Sequence, residues 1–227
     1  MTELSPTERD NRIAAAGMTV TEPSFGKSTY PIGKLLFDRS FAALGLLLVS
    51  PLFLLVAVLI VLDDRGPVFF CQIRVGRHGR PFRIWKFRTM RRHAEKSGRL
   101  ITVGHDPRIT RIGHGLRKSK LDELPQLLNV LFGQMSFVGP RPEVVRYVDL
   151  YTPEQRVVLQ LMPGITDPAS IHYRDESTLL DAASDPERMY IDEVMPEKIR
   201  INLTYAQQAS VWQDLRVILN TLLRLCK

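Results

Sequence analysis

The chain has 227 residues, 44% of them apolar and 24% charged, with a net charge of +7. This length suits one soluble domain of ordinary size with an appendage rather than two full domains, and the charged fraction excludes a polytopic membrane protein. The positive balance asks for anionic partners: nucleic acid, anionic lipid or phosphorylated substrates. Cys71 and Cys226 lie far apart and form neither a disulfide framework nor a metal-ligand spacing, as expected of thiols in a reducing compartment.

The charge is unevenly spread. Between Arg65 and Lys120 there are 16 Arg or Lys against two acids, Glu95 and Asp106, while the remainder of the chain is net acidic. Such asymmetry points to a dedicated anion-facing surface.

In chain order, residues 1–33 are polar and rich in Pro, Gly, Ser and Thr, which reads as a flexible leader. Phe41 to Leu62 then runs 22 residues without a charge, which passes the length test for a membrane helix of roughly 20 apolar residues. Ser50-Pro51 sits at its midpoint. Proline removes one helical hydrogen bond there, and the Ser50 hydroxyl is placed to satisfy the freed carbonyl. Both flanks are basic, with Lys27, Lys34 and Arg39 before and Arg65, Arg74 and Arg77 after, whereas a spanning helix carries its positive charge mainly on one side. A re-entrant hairpin broken at Ser50-Pro51 over residues 34–63 fits this pattern better than a kinked span, its alternative.

Val68–Val75 and Phe82–Thr89, joined by GRHGRP, read as a β-hairpin. Lys120–Gln134 has helical spacing, with Leu121, Leu124, Leu127, Leu128 and Leu131 on one face. Thr152-Pro153-Glu154-Gln155 is a capping box with Pro at the first helical position, and Pro163-Gly164 ends that helix. Ser210 and Gln213 start a last helix whose apolar stripe (Val211, Leu215, Ile218, Leu219, Leu222, Leu225) is expected to pack on the core, a membrane-surface role being the alternative. The fold expected is mixed α/β and mostly helical, with a small β-hairpin or sheet and an N-terminal re-entrant membrane helix.

The densest cluster of chemistry is RKSKLDELPQLLNVLFGQMSFVGPRPE, residues 117–143. Asp122-Glu123 falls in a first helical turn, where the dipole favours anions and acids are common as caps. The cations around the pair (Arg117, Lys118 and Lys120 before, Arg141 in a rigid Gly-Pro-Arg-Pro turn after) suit phosphates held with a divalent metal. Glycosidase chemistry fits poorly, since it needs two carboxylates facing across a sugar. Adjacent helical residues point about 100° apart, so one carboxylate can act as nucleophile while the other handles a metal or a proton. Asp106 and Arg108 read as a structural ion pair. The histidines (78, 93, 105, 114 and 172) show no metal-ligand spacing.

The segments GPVFFCQIRVGRHGRPFRIWKFRTM (66–90), DPRITRIGHGLRKSKLDELPQLLNVLFGQMSFVGPRPE (106–143) and MPGIT (162–166) resemble the bacterial sugar transferase family, the monotopic phosphoglycosyl transferases, over roughly residues 34–225. The order KFRTM, LDELPQLLNVL, MSFVGPRP is highly specific, and Ser50-Pro51 is similar to the family's hinge in a re-entrant helix. The resemblance is to the family's small, minimal form. It implies that Asp122 is a nucleophile attacking the β-phosphorus of a UDP-sugar, that Glu123 completes the dyad, and that Mg²⁺ is held by Asp122 and Glu123. Arg117 and Arg141 match phosphate-holding positions, and Lys86 and Arg88 add to the same basic floor. The acceptor implied is undecaprenyl phosphate. The place implied is the bacterial inner membrane, with residues 64–227 forming a cytoplasmic catalytic domain whose amphipathic helices meet phospholipid; helical surfaces leave room for a homodimer.

Ser119-Lys120 stands where Thr-Ser or Ser-Ser is usual, and DPASIHYRDE (167–176) replaces a Gly-Trp-Ala-Gln type of segment, which leaves the nucleoside and sugar contacts open. The rival readings are a membrane-tethered basic module binding nucleic acid, which has no helix-turn-helix, zinc or RNA-recognition signature behind it, and an inactive scaffold, against which the intact dyad and arginines speak. No nucleic-acid partner is therefore expected.

Overall fold

A computed structural model describes residues 32–92, 94, 101–104 and 106–225. The leader expected over 1–33 falls almost wholly outside these residues, as do Cys226, His93, His105, Lys96 and Arg99. The described chain is mostly helical with small β elements. It opens with α1 (Ile32–Asp63), runs through a hairpin of β1 (Phe69–Val75) and β2 (Pro81–Phe87), and continues through α2 (Arg111–Lys118). A 3-10 turn (Leu121–Glu123), α3 (Gln126–Leu131) and β3 (Ser136–Val138) follow. The C-terminal part carries α4 (Val145–Val148), a 3-10 stretch (Gln155–Gln160), β4 (Gly164–Thr166), α5 (Pro168–His172), α6 (Glu176–Asp181) and α7 (Pro186–Met189). A π-helical turn (Tyr190–Val194) then leads into α8 (Met195–Gln207) and α9 (Val211–Leu225).

α1 is 32 residues long with Pro51 inside it. The Ser50 hydroxyl donates to Leu47 O at 2.8 Å, which is the carbonyl that the missing proline N–H leaves free. The helix is the described element long and apolar enough to cross a membrane, and only 11% of its most apolar window is buried. Its buried residues, Asp38, Ala42, Val56 and Ile60, mark one stripe that the domain covers. Asp38 accepts from the Ser136 hydroxyl at 2.8 Å, Gly45 lies under Leu127, and Val56 and Ile60 pack with Phe87 and Leu116. At the far end Asp63 caps α2 by accepting from Ile112 N at 2.9 Å.

The hairpin forms as its alternation demands, antiparallel with Phe69 opposite Phe87 and Val75 opposite Pro81. His78 and Gly79 take positive φ in the connection. β3 and β4 pair in parallel, Ser136 with Gly164 and Val138 with Thr166. A hydrophobic core of Val75, Val144, Tyr147, Val148, Val158, Leu180, Tyr190, Val194 and Ile199 fills the C-terminal half.

Three expectations need correction. Lys120–Gln134 is not one helix: Lys120 turns left-handed at φ 56, and α3 begins only after Pro125, whose ring and missing N–H cannot continue a preceding turn. The segment from Thr152 does close its capping box, with Gln155 N to Thr152 Oγ1 at 3.3 Å and Thr152 N to Gln155 Oε1 at 3.0 Å, but it winds as a 3-10 stretch that ends at Gln160, before Pro163-Gly164. α9 does not bury its stripe. Val211, Trp212, Leu215, Leu219, Leu222 and Leu223 are exposed, and Val217 is the residue of this helix that the core receives. A 15-residue amphipathic pattern fixes which residues share a face but not what covers it.

The approach of β3 to β4 is closest at Gly139 and Gly164. A Cβ on Gly139 would sit 2.2 Å from Met162 O, and one on Gly164 2.2 Å from Gly139 N. Gly139→Ala is expected to lower stability by about 2–4 kcal/mol, read as a fall in thermal midpoint of the detergent-solubilised protein. An unchanged midpoint would contradict this packing.

Candidate active site

The left-handed turn at Lys120 delivers Asp122 and Glu123 into a 3-10 turn that the domain buries almost completely. Non-glycine residues take this conformation at a cost of roughly 1–2 kcal/mol, so local packing must hold it. Glu123 meets two cations. Its Oε1 accepts from Lys86 Nζ at 2.8 Å and from Arg141 Nη2 at 2.5 Å, and Oε2 accepts from Arg141 Nη1 at 3.2 Å. Burial alone would raise this carboxyl, but Arg141 and Lys86 outweigh it and hold Glu123 well below the usual carboxylate range. Reciprocally, the Glu123 charge raises Arg141, whereas burial pulls Lys86 down to about 8 despite its pairing.

Asp122 is the contrasting member. Its Oδ1 is buried and makes no hydrogen bond among the described residues. Burial, reinforced by the neighbouring Glu123 charge, pushes its carboxyl above the usual range, with Lys86, Lys120 and Arg117 pulling the other way. Two adjacent carboxylates are thus driven apart in acidity, the pattern by which sites assign different tasks to like groups. Arg117 projects from the last turn of α2 and donates to Thr102 Oγ1 at 3.0 Å. Its other terminal nitrogen is buried with no partner among the described residues, and burial lowers its pKa. Gln126, four residues beyond Asp122, is fully buried with both amide atoms unpartnered among the described residues.

Of the expected residues, Asp122, Glu123, Lys86 and Arg141 come together directly, and Arg117 adds its charge to the same group. Arg88 does not. Its guanidinium turns to Asp64 at the end of α1, bonding Asp64 Oδ2 at 2.7 Å and the Asp64 carbonyl. Arg88 lies beyond the last residue of β2, so strand alternation no longer dictates its side. Much of the basic run is likewise spent internally: Arg74 on Glu143, Arg77 on Gln160 O, and Arg108 on Asp106. The Asp106–Arg108 pair is the one expected from sequence.

Several positioning groups were given no role from the sequence. Asn129, fully buried, accepts from Trp85 N at 3.0 Å and donates to Arg83 O at 2.7 Å, clipping α3 to the strand that bears Lys86. Glu143 gathers Arg74, the Val144 N–H and the Tyr190 hydroxyl, the last at 2.5 Å, next to the Arg141 turn. Asp167 caps α5 through Ser170 N at 3.0 Å.

A divalent ion can be tested against these groups. No cluster of three or more His, Cys, Asp or Glu suited to a metal occurs among the described residues. Magnesium is commonly held by one or two carboxylates together with substrate phosphates and waters, and the unpartnered Asp122 Oδ1 fits that arrangement. Glu123, expected to share the ion, has both oxygens engaged by Arg141 and Lys86.

An apolar helix packed along a mixed α/β domain, with a buried carboxylate pair under lysine and arginine, defines a membrane-associated, phosphate-directed protein. Residues 29–227 match the model of the bacterial sugar transferase family, and the chain belongs to that family. It is 37% identical over 199 residues to the UDP-glucose:undecaprenyl-phosphate glucose-1-phosphate transferase of Klebsiella pneumoniae, covering 84% of this chain and 39% of that protein. It is 39% identical over 193 residues to the protein of the same name from Caulobacter vibrioides, covering 83% of this chain and 67% of the relative. The UDP-N-acetylgalactosamine-undecaprenyl-phosphate N-acetylgalactosaminephosphotransferase of Aeromonas hydrophila is 38% identical over 188 residues, with 82% and 41% covered. The chain therefore spans about two fifths of the length of the Klebsiella and Aeromonas relatives.

The shared bonds of Glu123 predict strong coupling. In a cycle of Glu123→Gln, Arg141→Gln and the double variant, unfolding free energies should be non-additive by about 1–3 kcal/mol. Additivity within experimental error would show that the pair does not hold the site together.

Proposed function

We propose that this protein transfers a sugar phosphate from a UDP-sugar to undecaprenyl phosphate, releasing UMP, on the cytoplasmic face of a bacterial inner membrane. The observation that carries the reading is the buried, unpartnered Oδ1 of Asp122 beside a carboxylate whose charge is neutralised by Lys86 and Arg141. The relatives' names, which join UDP-sugars to undecaprenyl phosphate, point the same way.

In this reading Asp122 attacks the β-phosphorus of the donor. The new bond is Asp122 oxygen to phosphorus; the bond broken joins that phosphorus to the bridging oxygen, which leaves with UMP. A phosphate oxygen of the acceptor then attacks the same phosphorus, and the Asp122 carboxylate departs unchanged. Splitting the displacement this way is the general benefit of a carboxylate nucleophile. An anion attacking a diphosphate must overcome charge repulsion, and Lys86, Arg117 and Arg141 supply positive charge for that purpose. Glu123 orients Lys86 and Arg141 rather than reacting. Asp122 would hold Mg²⁺, and the ion would supply further charge neutralisation. Burial of Asp122 strips its carboxylate of water and keeps it basic, hence nucleophilic.

The same domain grips α1 near both ends, at Asp38 through Ser136 and at Asp63 and Asp64 through Ile112 N and Arg88. The 25 intervening steps would reach roughly 37 Å in a straight helix, more than the ~30 Å hydrocarbon layer. Were α1 to span, these contacts would lie on opposite faces of the membrane, so they support a helix that enters and returns on one side. The exposed stripe of α9, tied to the start of α1 by Lys34–Asp214, fits against the same lipid surface. Tags at the two termini should both be accessible from the cytoplasm, and tags found on opposite faces would refute the re-entrant reading.

The direct test is UMP release from a panel of UDP-sugars with Mg²⁺ and undecaprenyl phosphate. Wild type should turn over at least one donor and Asp122→Asn should fall by at least about 10³-fold; equal rates in the two would refute Asp122 as nucleophile. The lowered pKa of Lys86 sets an alkaline limit. As pH rises through about 8, Lys86 loses its charge, so kcat/KM should fall, and Lys86→Arg should move the limb upward. Stability responds with the opposite sign: between about 8 and the unfolded value near 10.4 the unfolded chain holds the extra proton, so the Lys86 contribution to stability rises with pH. A kcat/KM profile flat from pH 7 to 10 would contradict this role.

A further inference from the structure

An open cleft lies beside Arg141, which lines it, and neither Asp122 nor Glu123 does. Its walls are largely apolar, including Val75, Leu161, Met195 and Ile199. Most of its polar lining is already engaged. Glu143 holds Arg74 and Tyr190, Lys198 pairs with Glu176 at 2.7 Å, and Arg141 is bound to Glu123. Beyond the Tyr151 hydroxyl, the exception is Asn202 on α8, 5% exposed, whose Oδ1 is buried with no partner among the described residues. A buried amide oxygen left in this state keeps an uncompensated desolvation cost unless a ligand completes it. The wall bearing it follows a π-helical turn, Tyr190–Val194, a distortion of the helical ladder that recurs at functional sites.

We propose that this cleft holds the pyrimidine base of the donor nucleotide, and that Asn202 reads the base edge. The proposal rests on the donor reading above. An in-line displacement places the leaving group opposite the nucleophile, so a β-phosphate facing Asp122 sends the nucleoside monophosphate outward, past Arg141. Arg141 is the residue common to dyad and cleft, and it takes the phosphate that links them. The amide presents one donor and one acceptor whichever way it is flipped, which matches the adjacent N3–H and carbonyl of uracil. A hexose needs several hydrogen-bonding groups for its hydroxyls, and beyond the Tyr151 hydroxyl this cleft offers only the Asn202 amide unengaged among its described residues. Its apolar walls suit the faces of a flat ring.

The test uses the full chain in detergent, with UMP and ribose 5-phosphate as probes. UMP should bind wild type at least about tenfold more tightly than ribose 5-phosphate, in line with one base-edge hydrogen-bonding pair. Asn202→Ala should erase that preference and raise KM for every UDP-sugar by one common factor. If the variant does not fold, hydrogen exchange on wild type decides: UMP should slow exchange in α8, Met195–Gln207. Ribose 5-phosphate binding as well as UMP, or α8 amides indifferent to UMP, would overturn the proposal. So would an Asn202→Ala variant that reorders preference among UDP-sugars while keeping UMP affinity, since the cleft would then hold the sugar. These readouts need no turnover, so UMP binding with no product formed would indict the transferase reading and leave the base pocket standing.

Discussion

Glu123 is a buried carboxylate reached from two directions, by Lys86 on β2 and by Arg141 from the turn after β3. Those bonds join three segments of chain that share no local secondary structure. A buried charge stripped of one partner costs several kcal/mol, so each segment is held where the other two require it. The arrangement also separates the dyad chemically. Glu123 absorbs the nearest positive charge and stays ionised, while Asp122, short of hydrogen bonds, is left basic and available. The left-handed Lys120, the close Gly139–Gly164 approach and the Asn129 clip all serve to keep these groups in register.

The position of α1 follows from the same economy of contacts. Its polar residues are concentrated at the ends, and Asp38, Asp63 and Asp64 all find partners in the domain. The intervening apolar residues are left mostly uncovered. Arg88, two residues beyond Lys86, closes the far end on Asp64, so a single short stretch after β2 serves both the helix anchor and the site. α9 adds a second uncovered apolar surface, with Trp212 82% exposed. A protein with two such surfaces finds its solvent in lipid rather than water.

What was legible in the sequence was local. Alternation in 68–89 gave the hairpin, the apolar run gave α1, and the ordered motifs gave the family and the Asp122, Glu123, Lys86 and Arg141 grouping. What was hidden depended on contacts between distant residues. Arg88 and Lys86 look alike in KFRTM, and only the end of β2 separates their destinations. Asn129 stands inside LDELPQLLNVL with nothing to mark its role, yet it holds α3 to β2 across 44 to 46 residues. Glu143 with Arg74 and Tyr190, and Asn202 in its cleft, carry no spacing signal because their partners come from elsewhere in the chain. The face of α9 was plain and its exposure was not, since periodicity cannot say which solvent a stripe meets.

The central claim is that Asp122 carries the sugar phosphate as a covalent passenger. Its most direct test is intact-mass and peptide mass spectrometry after an acid quench of wild-type protein given a UDP-sugar it turns over, with undecaprenyl phosphate withheld. The account predicts an added sugar phosphate on the peptide containing Asp122, discharged when the acceptor is supplied. An adduct on another residue, or none while UMP is released in stoichiometric amount, would contradict it.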